Sequence, residues 1–72
     1  MNQVRPEAGL IERSADILNG TPVFQGTRVP VRSLVDYLEA GQSLDEFLLD
    51  FPSVRRDQAI GVLELAAALV LR

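Results

Sequence analysis

Asn19-Gly20-Thr21-Pro22-Val23-Phe24-Gln25-Gly26-Thr27-Arg28-Val29-Pro30-Val31 is the stretch on which the fold turns. It holds two glycines, two prolines and a single charge, Arg28. Asn-Gly ahead of Pro-Val-Phe, and Gln-Gly ahead of Thr-Arg-Val-Pro, predict two tight reversals around two or three very short extended pieces. Thr, Val and Phe carry strand propensity at the extended positions. Pro22 and Pro30 lack a ladder donor and are expected at an edge or a strand end. Ile17 and Leu18 are expected to be the first extended residues, so the short strands are predicted within residues 17–29. Upstream, residues 1–9 are polar, aperiodic and contain Pro6 and Gly9, which reads as a flexible N-terminal tail. Residues 10–72 then form a single domain, with order beginning at Leu10-Ile11-Glu12-Arg13.

After Pro30 the hydrophobic period changes from strand to helix. Val31, Leu34, Val35 and Leu38 form an i, i+3, i+4, i+7 stripe, which predicts a helix over about 30–40. Pro30 suits its first position, where a missing N–H is harmless. Gly41 supplies a left-handed stop. Ser43 and Glu46 have the spacing of a capping box and open a second helix, about 44–51, with Leu44, Phe47, Leu48 and Phe51 on its buried face. Pro52 ends it. A third helix is predicted over 56–71, and it is apolar nearly all round, which implies burial nearly all round. So small a domain cannot surround its own terminal helix. Val62, Leu65, Ala66, Leu69 and Val70 are therefore expected to form a homodimer interface; the alternative is a sticky, solvated tail.

The 72 residues allow one domain, and a chain this short buries only about 60% of its unfolded surface. With no cysteine and no histidine, neither a disulfide nor a zinc site can staple the core, so no metal or cofactor is expected and oligomerisation is the remaining remedy. Ten acids against seven arginines give a net charge of −3, opposite in sign to a typical free-standing nucleic-acid binder. No apolar run is long enough to span a bilayer and no signal pattern opens the chain, so a cytoplasmic location is expected. The carboxylates fall on wet helix faces, and with no His, Cys or Lys to pair with them or to activate a serine, an enzyme is not expected; nor is a small-molecule substrate.

Two helices joined by a short Gly-containing turn are compatible with a helix-turn-helix, and three in so short a chain suggest a mainly α, three-helix, homeodomain-like bundle preceded by the short turn-rich β element. The second helix is acidic on its outer face, through Asp45, Glu46 and Asp50, which phosphates would avoid. Nucleic acid would therefore be met by Arg28, Arg32, Arg55 and Arg56; the competing reading is that these arginines balance nearby acids in solvent. Arg28 stands apart, because a rigid turn would aim its guanidinium at a carboxylate or phosphate. Either a partner supplies that group, or Arg28 clamps Asp16 or a helix-end carbonyl of its own chain.

The run from Ile17 to Leu65 resembles the small bacterial family called domain of unknown function 433. The resemblance rests on Leu18-Asn19-Gly20-Thr21-Pro22-Val23-Phe24 and Gly26-Thr27-Arg28-Val29-Pro30-Val31. It continues in Leu38-Glu39-Ala40-Gly41, Phe47-Leu48-Leu49-Asp50-Phe51-Pro52 and Gln58-Ala59-Ile60. It implies a VapB-like antitoxin, often encoded beside a toxin with a PIN-like nuclease fold, and a homeodomain-like bundle after short strands. The family commonly has Thr where this chain has Arg55, and Arg cannot cap the third helix; Ser53 takes over, or the helix start frays.

On this reading the chain is expected to neutralise a partner ribonuclease as a homodimer, with Arg28, Arg55 and Arg56 directed at the acidic cluster that holds the toxin's metal. Repression of its own operon is compatible with that role. The alternatives are a homodimeric DNA-binding regulator and a small protein-interaction adaptor.

Overall fold

Thr27 closes the central reversal. Its backbone N–H and its hydroxyl both donate to the Phe24 carbonyl, at 3.0 and 2.8 Å, and the hydroxyl oxygen accepts from the Val29 N–H at 3.0 Å. Phe24 N–H donates to Val29 and Val31 N–H to Pro22, each at 3.0 Å, so residues 22–24 and 29–31 form a tight hairpin around Gln25–Arg28. Pro30 lies opposite Val23 at the hairpin's end, where a missing donor is tolerated.

The computed structural model describes residues 9–71, so the expected tail lies outside the described residues except for Gly9. In chain order it contains β1 (Ile11–Glu12), a 3-10 turn (Leu18–Gly20), β2 (Val23–Phe24), α1 (Val31–Glu39), α2 (Leu44–Asp50) and α3 (Arg56–Leu71). The architecture is mainly helical, three helices with one short antiparallel two-stranded sheet, as expected at that level. The strand boundaries need correction. β2 pairs with β1, Ile11 opposite Phe24 and Glu12 opposite Val23, and β1 precedes the range 17–29. Glu12 adds a second tie, accepting from the Gly26 N–H at 2.8 Å.

Leu18 is not extended either. Leu18, Asn19 and Gly20 have φ of 49°, 58° and 84°, three successive left-handed residues. Asn and Gly accept that conformation readily, whereas a leucine there costs about 1–2 kcal/mol. Thr21 holds the turn, its N–H and hydroxyl donating to the Leu18 carbonyl at 3.1 and 2.7 Å.

The helix ends follow local signals. Pro30 is the N-cap of α1 rather than its first residue, extended at ψ 140°, and Gly41 ends the helix at φ 83°. Ser43 and Glu46 make the reciprocal capping box at the start of α2, with Oγ accepting at 3.0 Å and Glu46 Oε1 at 2.7 Å. Phe24 of β2, Leu34 of α1, Phe47 of α2, Val54 of the α2–α3 connection, and Ala59 and Val62 of α3 are buried together and form the core. Tyr37, Phe47 and Phe51 stack around it with centroids 4.9–5.7 Å apart, spacings at which ring edges meet ring faces. On α3, a side chain at Gly61 would put its Cβ 2.9 Å from Leu10 Cδ2. A mid-helix glycine costs up to about 1 kcal/mol against alanine, and here it lets the N-terminal segment lie directly on the helix.

Val62, expected at a dimer interface, instead lies buried in this chain's own core. Only the first half of α3 is covered. Leu69, Val70 and Leu71 are 68%, 79% and 81% exposed. Ala66 is exposed and Leu65 half-buried.

Candidate interaction surfaces

The four candidate arginines separate into two groups. Arg32 on α1 pairs with Asp36 at 2.9 Å and Glu39 at 3.3 Å. Arg55 pairs with Asp57 at 3.1 Å, and Arg56 reaches across to Asp45 on α2. These pairs are solvent-exposed and add little stability, but each occupies a cation with a carboxylate of the same chain. Arg28 is exposed in the Gln25–Arg28 turn, and among the described residues its guanidinium has no hydrogen bond or ion pair. Neither Asp16 nor a helix-end carbonyl receives it.

The turn that carries Arg28 is held by a buried amide. Gln58, 1% exposed, donates through Nε2 to the Gln25 carbonyl at 2.9 Å and to the Leu10 carbonyl at 3.2 Å. Its Oε1 accepts from the Arg55 N–H at 3.3 Å. One side chain thus joins the Arg28 turn, the segment before β1 and the first turn of α3. This also answers how α3 begins without threonine. The Arg55 carbonyl accepts the first helical bond, from Ala59 at 3.0 Å, which makes Arg55 the N-cap residue. Its side chain caps nothing, but its N–H is satisfied by Gln58 at the third helical position. That is one half of a capping box. Ser53 makes no hydrogen bond to α3 among the described residues. The sequence signal for Gln58 was present, since a Gln three residues after a helix start has capping-box spacing.

A second polar contact links α1 to α2. The Tyr37 hydroxyl donates to Asp50 Oδ2 at 2.6 Å. That hydrogen bond, together with desolvation and the negative field of Asp50 and Glu46, raises the Tyr37 pKa above the usual 10.0. No group of three or more metal-ligating side chains converges among the described residues, and no described helix is long and apolar enough to cross a membrane.

The fold and its surfaces define a small helical domain whose β-hairpin presents an exposed arginine, without an ion pair among the described residues, on a braced turn. The chain belongs to the family described as protein of unknown function (DUF433), whose family model matches residues 11–66. It is also similar to an uncharacterized protein, y4eO, of Sinorhizobium fredii (strain NBRC 101917 / NGR234), with 44% identity over 45 residues. Those residues are 62% of this chain but 20% of that relative, so the chain spans about a fifth of its length. No solved structure matches the chain.

Proposed function

We propose that this chain is a non-catalytic, VapB-like antitoxin with a homeodomain-like helical bundle, cytoplasmic and homodimeric, which masks a partner ribonuclease of PIN-like fold. The observation that carries the reading is Arg28. It is exposed, it makes no ion pair among the described residues, and its turn is braced by Thr27, Glu12 and Gln58. A planar guanidinium carried on a braced backbone can meet a carboxylate bidentately. An acidic, metal-holding nuclease centre is a surface such a group would neutralise, to the exclusion of both metal and RNA phosphate. Arg55 and Arg56 are secondary contributors, because each would first have to leave Asp57 or Asp45.

The test is co-purification with the product of the adjacent gene, followed by titration of its ribonuclease activity. Arg28→Ala is expected to weaken inhibition by about 30-fold, the effect of losing a well-packed interface arginine worth ~2 kcal/mol. Its circular dichroism and Tm should match the parent. Inhibition equal to the parent's would overturn the assignment.

The DNA-binding reading draws weaker support, since Arg32, Arg55 and Arg56 are engaged with acids. It expects a gel shift on operator DNA that falls steeply with salt. The adaptor reading expects co-purification with no effect on nuclease activity.

A further inference from the structure

Asn19 is followed by Gly20, so no side chain shields its amide from the next backbone nitrogen. Asn19 is exposed, and the pair lies in the 3-10 turn Leu18–Gly20, none of whose residues is buried. Asn19 has φ 58° and ψ 36°. The Gly20 N–H donates to the Ile17 carbonyl at 3.0 Å, and Thr21 closes the turn by donating its N–H and its hydroxyl to the Leu18 carbonyl.

We infer that Asn19-Gly20 is a site of spontaneous deamidation that the folded turn holds shut, so that opening of this turn leaves a one-way covalent mark on the chain. The inference is independent of any partner nuclease. Water is the only co-reactant. The Gly20 nitrogen, having given its proton to a solvent base, forms a bond to Asn19 Cγ. The Cγ–Nδ2 bond breaks, and the side-chain nitrogen takes a proton from solvent and leaves as ammonia. Water then opens the cyclic imide. Opening at Cγ gives aspartate, whereas opening at the main-chain carbonyl gives isoaspartate, whose backbone runs through Cβ and Cγ. Either product carries a carboxylate where a neutral amide stood.

Two features of the turn oppose the first step. Ring closure needs Asn19 Cβ and the Gly20 nitrogen nearly eclipsed about the Cα–C bond. At ψ 36° an L-residue sets them nearly opposite, which holds Cγ out of bonding reach of that nitrogen. The same nitrogen is engaged with Ile17, and a hydrogen-bonded N–H yields its proton to solvent only when the structure opens. Rotation to the closing angle swings that N–H away from Ile17, so the reaction passes through an opened turn. The lock is local. Leu18 sits in the strained left-handed region at φ 49°, and with no buried residue in the turn, opening exposes no core side chain of Leu18–Gly20.

The experiment uses the full chain, incubated at one mildly alkaline pH in native buffer and in guanidinium chloride. Peptide mapping by mass spectrometry follows the conversion, and an isoaspartate methyltransferase assay detects the second product. Asn2, which precedes Gln3, is the other asparagine of the chain and serves as the internal reference. In denaturant Asn19 should convert well ahead of Asn2. In native buffer Asn19 should convert at least about ten-fold more slowly than in denaturant, because the turn must first open. Thr21→Val keeps the side-chain shape and removes the hydroxyl tie to Leu18. Shown to be folded by circular dichroism, that variant should convert in native buffer about 3- to 10-fold faster than the parent, the effect of losing one hydrogen bond. Equal rates for Asn19 in the two buffers, conversion no faster than that of Asn2 in denaturant, or a Thr21→Val chain as slow as the parent in native buffer overturns the inference.

Discussion

At the scale of single residues, Gln58 decides more than any charged group. It is buried, its three hydrogen bonds are all made, and its partners come from three separate segments. Gln58→Leu would keep the volume and strand the Gln25 carbonyl and the Arg55 N–H, each losing a partner in a part-buried place. The expected loss is about 2–3 kcal/mol by urea denaturation, at the upper end for an unsatisfied polar group. Because the same amide braces the Arg28 turn, the surviving folded fraction should also inhibit a partner nuclease less well than the parent. Arg28 is the complementary case. A lone charge inside a turn-rich stretch marked it as a candidate, but the lack of a clamp onto Asp16 or a helix end among the described residues was not legible, since that depends on where those groups lie in space. The left-handed Leu18 had no local signal at all; leucine disfavours that conformation, and closing the chain onto β2 imposes it.

At the scale of elements, the end of α1 and both ends of α2 follow a signal within four residues: Gly41, the Ser43–Glu46 box and Pro52. The start of α3 is the exception and the easiest to improve. Arg55→Thr would place a hydroxyl acceptor at the N-cap opposite Gln58 and complete the box, raising stability by about 1 kcal/mol. A Tm equal to or below the parent's would show that Arg55 contributes more through Asp57 than exposed pairs ordinarily do. The α1–α2 contact makes a pH prediction. The folded chain holds the Tyr37 proton more tightly than the unfolded chain does, because the phenol donates to Asp50. The associated stability is therefore fully present below the unfolded value near 10.0 and is lost as pH rises through the raised folded value. Tyr37→Phe should flatten the decline of Tm above pH 10 while leaving the neutral region little changed, apart from the lost hydrogen bond. The sheet was less legible than the helices. The hairpin turn is local and readable, whereas the partner strand is two residues long and shows no alternation by which to find it.

At the scale of the whole molecule, the small core has only six buried apolar side chains in its main cluster. A domain of this size has little stability in reserve. The surface follows the same economy. Acids outnumber arginines, and three of the four candidate arginines are engaged with carboxylates, so that of these four only Arg28 has no such partner among the described residues.

Taken by itself, the amino-acid order determined the three helices, their stops, the central hairpin and the family, because period, capping and turn chemistry act over a few neighbouring residues. The tertiary structure alone decided which half of the apolar third helix is core and which is surface, which of the four candidate arginines lacks a partner among the described residues, and where the first strand pairs. Those outcomes depend on segments far apart in the chain, as in the contact of Gln58 with Leu10 across 48 positions. A one-dimensional pattern marks a residue as apolar or charged. Only the packed chain determines whether anything stands opposite it.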